Sequence, residues 1–344
     1  MTLQRPSLES ILTRAWMRRG LLACTLWPVS LLFHGVVALR RRLYAVSVLK
    51  STRLPVPVIV VGNIFLGGTG KTPLTIWLVD ALRRAGYVPG VISRGYGAHN
   101  DVPQPVSAGS LPQQVGDEPV LIATRAQCPV MVGRNRVAAA TALLAAHPEV
   151  NLIVSDDGLQ HYALARDVEI VLCDARGNGN GWLLPAGPLR EPASRPRDFT
   201  VVNGAHRPHD IPHSTIFMRL VGDVAERLVD RSQRVALHSL PTLRGDGRPA
   251  RIVAAAGIGN PARFFAMLRN AGVIFEEMPL ADHYDFDVNP FAESSADMIL
   301  ITEKDAVKCI HHGALKNDER LWVVPVAARI DAAFAEQIVE KCRG

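Results

Sequence analysis

The sequence predicts an α/β fold with a mainly parallel sheet, a second, smaller α/β domain and an N-terminal membrane-associated helix. First, VPVIVVGN is a β-branched strand followed by a glycine loop and a helical pattern. Second, apolar strands and helical patterns alternate along the rest of the chain. Third, residues 21–39 carry no formal charge. The strand, glycine loop and helix together make the first domain P-loop NTPase-like.

The positive charge is concentrated at the N-terminus. The chain has 344 residues and a net charge of +6, with 38 Lys and Arg and 32 Asp and Glu. Residues 1–53 hold nine of the basic residues and one of the acidic ones, so the remainder holds 29 basic and 31 acidic residues. An apolar segment that is also basic favours an anionic membrane surface and argues against nucleic acid. Five scattered cysteines without a CxxC pair predict neither a zinc site nor disulfides, and no protein partner is implied.

The segment 1–53 is predicted to be helical and membrane-associated. Arginines flank its apolar part on both sides. A helix needs about 20 apolar residues to cross a bilayer, so this stretch is borderline, and Pro28, His34 and Gly35 weaken it as a span. A membrane-surface or shallowly inserted helix is the favoured interpretation. A true span and a buried helix of a soluble fold stay open.

The glycine loop is predicted to bind the phosphates of ATP. Its backbone N–H groups point at phosphate oxygens, Lys71 reaches the β- and γ-phosphates, and Thr72 ligates Mg²⁺. The usual P-loop pattern has a glycine at the position that Phe65 occupies here. One class of membrane-associated dimeric ATPases carries a second loop lysine where this chain has Leu66. The predicted nucleotide-binding residues are Phe65, Leu66, Gly67, Gly68, Thr69, Gly70, Lys71 and Thr72.

Two acidic pairs follow apolar or glycine-containing segments. NLIVSDD ends in Asp156 and Asp157, where a Walker-B-like magnesium acid belongs, although a turn with a helix cap uses the same residues. VGDEPVLIA places Asp117 and Glu118 at a predicted helix start. They are either N-terminal caps or a base and a metal carboxylate, and the motif alone does not decide.

Further polar side chains lie in short motifs. VISRGYG presents Arg94 and Tyr96 either to a ligand or in an ordinary turn. ADHYDF carries His283 between acids, and a lone histidine is usually structural. We predict a P-loop domain over 54–235, a linker or hinge over 236–250 and a smaller α/β domain over 251–344, which begins with the strand and helix of RIVAAAGIGNPARFFAMLRNAG.

Taken in order, GNIFLGGTGKTP, SRGYG, GDEP, DDGLQH, LLPAGPLREP and DHYDF resemble the tetraacyldisaccharide 4'-kinase (lipid A 4'-kinase) family. The resemblance runs from the apolar segment to TEKDAVK, and Phe65 belongs to the family's form of the loop. It implies an enzyme of lipopolysaccharide biosynthesis that uses ATP and Mg²⁺. The enzyme moves the γ-phosphate to the 4'-hydroxyl of a tetraacyldisaccharide 1-phosphate, which gives lipid IVA. It works on the cytoplasmic face of the bacterial inner membrane as a peripheral or monotopic protein.

The resemblance also implies roles for single residues. Asp117 matches the catalytic base, paired with His283, and Lys71 matches the loop lysine. Thr72 and Asp157 match metal ligands, with Asp157 placed nearer the metal than Asp156 and Glu118 a further metal candidate. The substrate-binding or supporting residues would be Asp156, Arg94, Tyr96, Gln160, His161 and Glu191.

Two alternatives compete with the lipid kinase. The first is a membrane-associated regulatory P-loop ATPase, against which Leu66 argues because that class has a lysine there. The second is a soluble carbohydrate or nucleotide kinase in which residues 1–53 pack onto the fold.

Overall fold

A computed structural model describes residues 8–95, 102–240 and 250–343 of the protein. Within these ranges the helices are α1 (Leu8–Ala15), α2 (Leu21–Ala45), α3 (Lys71–Arg84), α4 (Pro112–Val115), α5 (Asp117–Ala126), α6 (Arg136–Ala146), a 3₁₀ turn (Leu237–Ser239), α7 (Pro261–Asn270), α8 (Glu303–Cys309), α9 (Gly313–Lys316) and α10 (Ala333–Arg343). The strands are β1 (Val58–Gly62), β2 (Pro89–Ser93), β3 (Gln104–Val106), β4 (Val130–Val132), β5 (Leu152–Asp156), β6 (Val168–Asp174), β7 (Phe199–Asn203), β8 (Ile216–Val221), β9 (Val224–Arg227), β10 (Arg234–Ala236), β11 (Ile252–Ala256), β12 (Glu276–Pro279), β13 (Met298–Thr302), β14 (Leu321–Val324) and β15 (Ala327–Ile330).

The first sheet places the phosphate loop beside the acidic strand end. Its order is β15-β8-β7-β6-β1-β5-β2-β4-β3, parallel from β8 to β4 with an antiparallel strand at each edge. β1 lies between β5 and β6, and Val61 pairs with Asp156. Because parallel strands end at the same edge of a sheet, the loop after β1 and the acids after β5 meet there. The predicted parallel α/β class is confirmed.

Helices and an apolar loop cover the two faces of this sheet. Leu74 and Leu78 of α3, Val120 of α5 and Phe334 of α10 pack in the core on one face. On the other face α6 packs together with the loop that carries Leu183 and Leu189. The β-branched strand residues between them are fully buried, as a parallel sheet covered on both faces requires.

The second sheet has the order β10-β9-β14-β13-β11-β12. β9 and β10 already belong to it, whereas β15 returns to the first sheet beside β8 and α10 packs Ile338 into the first core. The chain therefore leaves the first sheet between Val221 and Val224 and returns to it after Val324. These crossing points differ from the predicted domain bounds of 54–235 and 251–344. Short edge strands join a sheet through tertiary pairing, which local sequence does not encode. Residues 241–249 of the predicted linker lie outside the described ranges.

The first sheet with α3 to α6 and α10 forms the first unit, and the second sheet with α7 to α9 forms the second unit. Helix α2 lies against the first unit by a narrow contact. Ser30 Oγ donates a hydrogen bond to the Leu183 carbonyl at 2.7 Å, while Leu32 is 73% exposed. Ala23 and Ser30 are its buried residues. The helix continues through Pro28, and its 25 residues are long and apolar enough to cross a membrane by length and composition. Its exposed apolar face is inconsistent with a helix buried in a soluble fold and compatible with membrane association.

Candidate active site

A cavity of about 1070 Å³ opens between the two sheets. The phosphate loop, the ends of β2 and β5 and the start of α5 form one wall, and loops of the second unit form the other. Its lining includes Phe33, Val36, Val37, Arg40, Leu66, Gly67, Gly68, Thr69, Gly70, Lys71, Thr72, Arg94, Glu118, Asp156, Asp157, Gln160, His161, Arg190, Glu191, Arg263, His283 and Lys304. Of the described residues predicted from the sequence, all but Phe65 and Asp117 line the cavity, and a side of α2 joins them. Phe65 and Asp117 are buried beside it.

The phosphate loop is held in shape by its own glycines and by Asn63. Gly67 and Gly70 have φ values of +105° and +100°, which favour glycine. The Asn63 amide donates to the Gly67 carbonyl at 2.9 Å, and its oxygen accepts from Lys71 Nζ at 3.0 Å. The Phe65 ring is buried, with the Arg176 guanidinium 4.2 Å above it. A core contact therefore explains why Phe65 replaces the usual glycine.

The carboxylate of Asp157 faces two cations. Lys71 Nζ lies 3.7 Å from its Oδ1, and Arg190 Nη1 lies 3.1 Å from both of its oxygens. Burial works to raise the pKa of Asp157, but Lys71 and Arg190 outweigh it and hold that pKa below its ordinary value. Asp157 therefore stays ionised in this arrangement and links the phosphate loop to the LLPAGPLREP loop.

The carboxylate of Asp156 has hydroxyl partners instead. It is buried and accepts hydrogen bonds from Thr75 Oγ1 at 3.2 Å and Ser93 Oγ at 3.4 Å. Burial raises its pKa, against the opposing charge of Lys71. Arg136 is also buried, and its Nη2 donates to the Asp156 carbonyl at 3.3 Å.

The donor set beside Lys71 suits a magnesium ion. Thr72, Asp156 and Asp157 all line the cavity, and Thr72 follows Lys71 directly in the chain. Hydroxyl and carboxylate oxygens are the hard ligands that Mg²⁺ takes in proteins. These residues therefore fit the ion that the sequence predicted.

Asp117 and His283 meet across the two units. His283 Nδ1 lies 3.1 Å from Asp117 Oδ2, although 166 residues separate them in the chain. Lys304 Nζ lies 2.7 Å from Glu118 Oε1, 3.3 Å from His283 Nε2 and 3.6 Å from Asp117 Oδ2. The cluster therefore joins the start of α5 to the DHYDF loop and the start of α8.

The protonation of this cluster follows from its burial and its partners. Burial works to raise the pKa of Asp117, but hydrogen bonds from Glu118 and His283 and the charge of Lys304 keep it below its ordinary value. Burial and the neighbouring Asp117 raise the pKa of Glu118 to about 7. The hydrogen bond to Asp117 raises the pKa of His283. Asp117, Glu118 and His283 are also spaced closely enough to hold a metal ion, and the ammonium of Lys304 lies among them.

The predicted supporting residues fall into two groups. Arg94 and His161 line the cavity, and burial together with Arg136 and Arg94 lowers the pKa of His161 to about 4. Tyr96 lies outside the described ranges. Arg94 and His161 therefore lie in the same cavity as Lys71.

Glu191 and Gln160 form a buried supporting network. Glu191 is 1% exposed and accepts hydrogen bonds from Gln160 Nε2 at 3.0 Å and Tyr162 OH at 2.5 Å. Arg195 Nε lies 3.5 Å from the same carboxylate. Its partners indicate that Glu191 orients the DDGLQH turn.

Sequence reasoning missed several cations of the site. Arg190 pairs with Asp157, and Lys304 pairs with Glu118. Arg136 donates to the Asp156 carbonyl, and Arg263 contacts the Thr69 carbonyl of the phosphate loop. Arg190 and Lys304 lie inside the motifs LLPAGPLREP and TEKDAVK, where a charge in an apolar loop or beside a capped helix start is a usable signal. Arg136 and Arg263 lie in the first turns of α6 and α7, where no neighbouring residue marks them as site cations.

Comparisons with known proteins agree on one family. A family model described as Tetraacyldisaccharide-1-P 4'-kinase matches residues 22–343. A tetraacyldisaccharide 4'-kinase of Janthinobacterium sp. (strain Marseille) is 67% identical over 344 residues, covering 100% of this chain and 99% of the relative. The protein of the same name from Herminiimonas arsenicoxydans is 62% identical over 350 residues, covering 100% and 98%. The solved "apo" form of LpxK from Aquifex aeolicus, in complex with ATP, has a TM-score of 0.75 and 27% identity over 93% of this chain and 99% of that one.

Proposed function

The chain belongs to the tetraacyldisaccharide-1-P 4'-kinase family, and we propose that Asp117, His283 and Lys71 carry out its phosphoryl transfer. The enzyme is a tetraacyldisaccharide 4'-kinase of lipid A biosynthesis and uses ATP. In the transfer, the γ-phosphate moves to the 4'-hydroxyl of tetraacyldisaccharide 1-phosphate, and lipid IVA is formed. The observation that carries the proposed roles is a shared cavity lined by Lys71 and His283, together with the buried Asp117, whose Oδ2 lies 3.1 Å from His283 Nδ1.

Asp117 is the proton acceptor in this proposal. The 4'-oxygen forms its bond to the γ-phosphorus while the bond from phosphorus to the β–γ bridging oxygen breaks and ADP leaves. The hydroxyl proton passes to an Asp117 oxygen, which the low pKa of that group keeps ionised. The imidazole of His283 fixes the orientation of the carboxylate through the 3.1 Å contact. Lys71, held by Asn63, neutralises charge on the phosphates.

Thr72 and Asp156 are the residues we assign to magnesium. When bound, Mg²⁺ neutralises charge on the β- and γ-phosphate oxygens. The sequence placed Asp157 nearer the ion, but that carboxylate pairs with Lys71 and Arg190. Asp156 has only hydroxyl hydrogen bonds to its carboxylate, so its oxygens are easier to recruit. Mutating even an outer-shell partner of a metal ligand costs about 10- to 100-fold in metal affinity. We therefore expect Asp156→Asn to raise the Mg²⁺ concentration for half-maximal rate by at least about 10- to 100-fold, and Asp157→Asn to raise it less. Equal effects of the two variants in a Mg²⁺ titration would refute this assignment.

The membrane surface is the proposed location of the reaction, on the cytoplasmic face of the inner membrane where ATP is available. Each acyl CH₂ that left the bilayer would cost about 0.8 kcal/mol, so the enzyme must come to its lipid. The exposed apolar side of α2 suits this contact, and Phe33, Val37 and Arg40 of that helix also line the cavity. One cavity therefore connects this side of α2 with His283, the partner of Asp117.

The direct test is a transfer assay in mixed micelles. The purified chain is incubated with γ-labelled ATP, Mg²⁺ and a tetraacyl disaccharide 1-phosphate, with Lys71→Ala as the inactive control. A labelled bisphosphorylated lipid supports the function, and no product from the unaltered chain would refute it. Extraction from membranes by salt alone would exclude hydrophobic anchoring by α2.

A further inference from the structure

An arginine of the second unit reaches the phosphate loop. Arg263 lies in α7, and its Nη1 contacts the Thr69 carbonyl at 3.5 Å while its Nη2 donates to Asp174 Oδ2 at 3.0 Å. The same side chain lines the cavity that holds Lys71. The second unit therefore places a guanidinium on the loop that, in this fold, holds the phosphates of ATP.

Close packing fixes the position of Arg263. The GIGNP loop that leads into α7 approaches the phosphate loop so closely that a Cβ on Gly259 would lie 3.8 Å from the Gly68 amide nitrogen. Pro261 starts the helix immediately afterwards. Arg263 thus stands in the first turn of a helix that begins directly above the loop.

The charge of Arg263 is not fully matched by its partner. Asp174 is 1% exposed and is already held by Arg176, whose Nη2 lies 2.8 Å from Oδ2 and whose Nε lies 3.0 Å from Oδ1. Two guanidinium groups share one carboxylate, which leaves one positive charge in surplus beside the loop. Within the described part of the chain, the Arg263 guanidinium makes no hydrogen bond beyond the two above, and the side chain is 32% exposed and lines the cavity.

The loop itself lacks a second cation. Dimeric ATPases with a related loop carry a lysine at the position that Leu66 occupies here. A transferring phosphoryl group spreads its charge over several oxygens, and an arginine supplied from another element stabilises that charge in other P-loop enzymes. The planar fork of arginine suits two phosphate oxygens at once.

We propose that Arg263 binds the triphosphate of ATP from the second unit and stabilises the transferring γ-phosphoryl group. It exchanges the Thr69 carbonyl, and in part the Asp174 carboxylate, for phosphate oxygens. No atom passes through Arg263: the γ-phosphoryl group goes to the acceptor oxygen, and the guanidinium only donates hydrogen bonds to it and to ADP. This inference rests on the proposed placement of ATP in the phosphate loop.

The test compares two arginines of the same helix. Arg263→Met keeps an unbranched apolar stem and removes the guanidinium with its charge, and Arg263→Lys restores a charge without the fork. Arg269→Met is the matched control, because Arg269 is exposed on α7 and pairs with Glu277. The full chain is assayed in mixed micelles with kcat and KM measured for ATP and for the lipid acceptor, and thermal unfolding is followed in parallel.

We expect Arg263→Met to lower kcat/KM for ATP about 10²- to 10³-fold, as loss of one preorganised transition-state donor does, with the KM of the acceptor unchanged. Arg263→Lys should regain part of that loss, and Arg269→Met should resemble the unaltered chain. If Arg263→Met matches Arg269→Met, or alters only the KM of the acceptor, the inference is wrong while the kinase function stands. An unaltered chain without transfer activity would instead refute the proposed function itself.

Discussion

The contact between His283 and Asp117 should carry a measurable share of the catalytic free energy. It is a single hydrogen bond of 3.1 Å to an ionised carboxylate, and such bonds are worth about 1.5–3 kcal/mol. Lys304 stays 3.6 Å from Asp117 when His283 is removed, which limits the loss. We therefore expect His283→Ala to lower kcat about 10- to 100-fold and Asp117→Ala about 10²- to 10⁴-fold. The double variant should be hardly slower than Asp117→Ala, because His283 acts through Asp117.

The assay is the micelle transfer of label from ATP to the lipid acceptor, analysed as a double-mutant cycle. His147→Ala is the control, because its Nδ1 lies 3.2 Å from Glu149 in an exposed pair outside the cavity lining. It should leave kcat unchanged. Purely additive losses of His283→Ala and Asp117→Ala would show that the two side chains act independently, and the proposed pair would then be abandoned. Near-normal turnover by Asp117→Ala would return that residue to the role of a helix cap.

Two further predictions concern stability and membrane contact. His161 has its pKa lowered to about 4 from 6.5, so between these values the unfolded chain binds a proton that the folded chain does not, and stability falls as pH falls. From pH 6.5 to pH 4, His161 should lower the free energy of unfolding measured in urea by about 1–2 kcal/mol, a figure discounted for its partial exposure. His161→Gln should remove this contribution, and an equal decrease in the variant would contradict the lowered pKa. Leu32→Glu should weaken sedimentation with anionic vesicles about 10-fold or more, because burying a leucine contributes about 1.5–3 kcal/mol. Val288→Glu is the control, because Val288 is 72% exposed on the second unit, and it should not weaken sedimentation. If both variants weaken sedimentation equally, α2 is excluded as the membrane contact.

Most elements of the first unit could be predicted from local sequence. The β-branched run of β1, the glycines of the loop and the spacing of α3 are properties of neighbouring residues, so strand, loop and helix were predictable. Gly67 and Gly70 hold positive φ values, which glycine favours, so local backbone conformation already explains them. Asp117 likewise starts α5 as its motif indicated.

The family motifs supplied what local patterns left open. By itself, GDEP was equally a helix cap, and ADHYDF offered only a histidine between acids. The resemblance paired Asp117 with His283, and the structure places their side chains 3.1 Å apart. Their catalytic roles stay a prediction until the cycle above is measured.

By itself, the sequence determined the α/β class, the phosphate loop and an apolar, basic N-terminal segment, because each is written in residues next to one another. The tertiary structure alone decided which cations meet which acids. Asp157 turns, with a φ of 46°, toward Arg190 and Lys71, while the adjacent Asp156 is enclosed by hydroxyl groups. Lys304 and Arg263 reach the site only because the second sheet folds over the first. Such contacts depend on packing between segments far apart in the chain, where no periodicity or spacing records them.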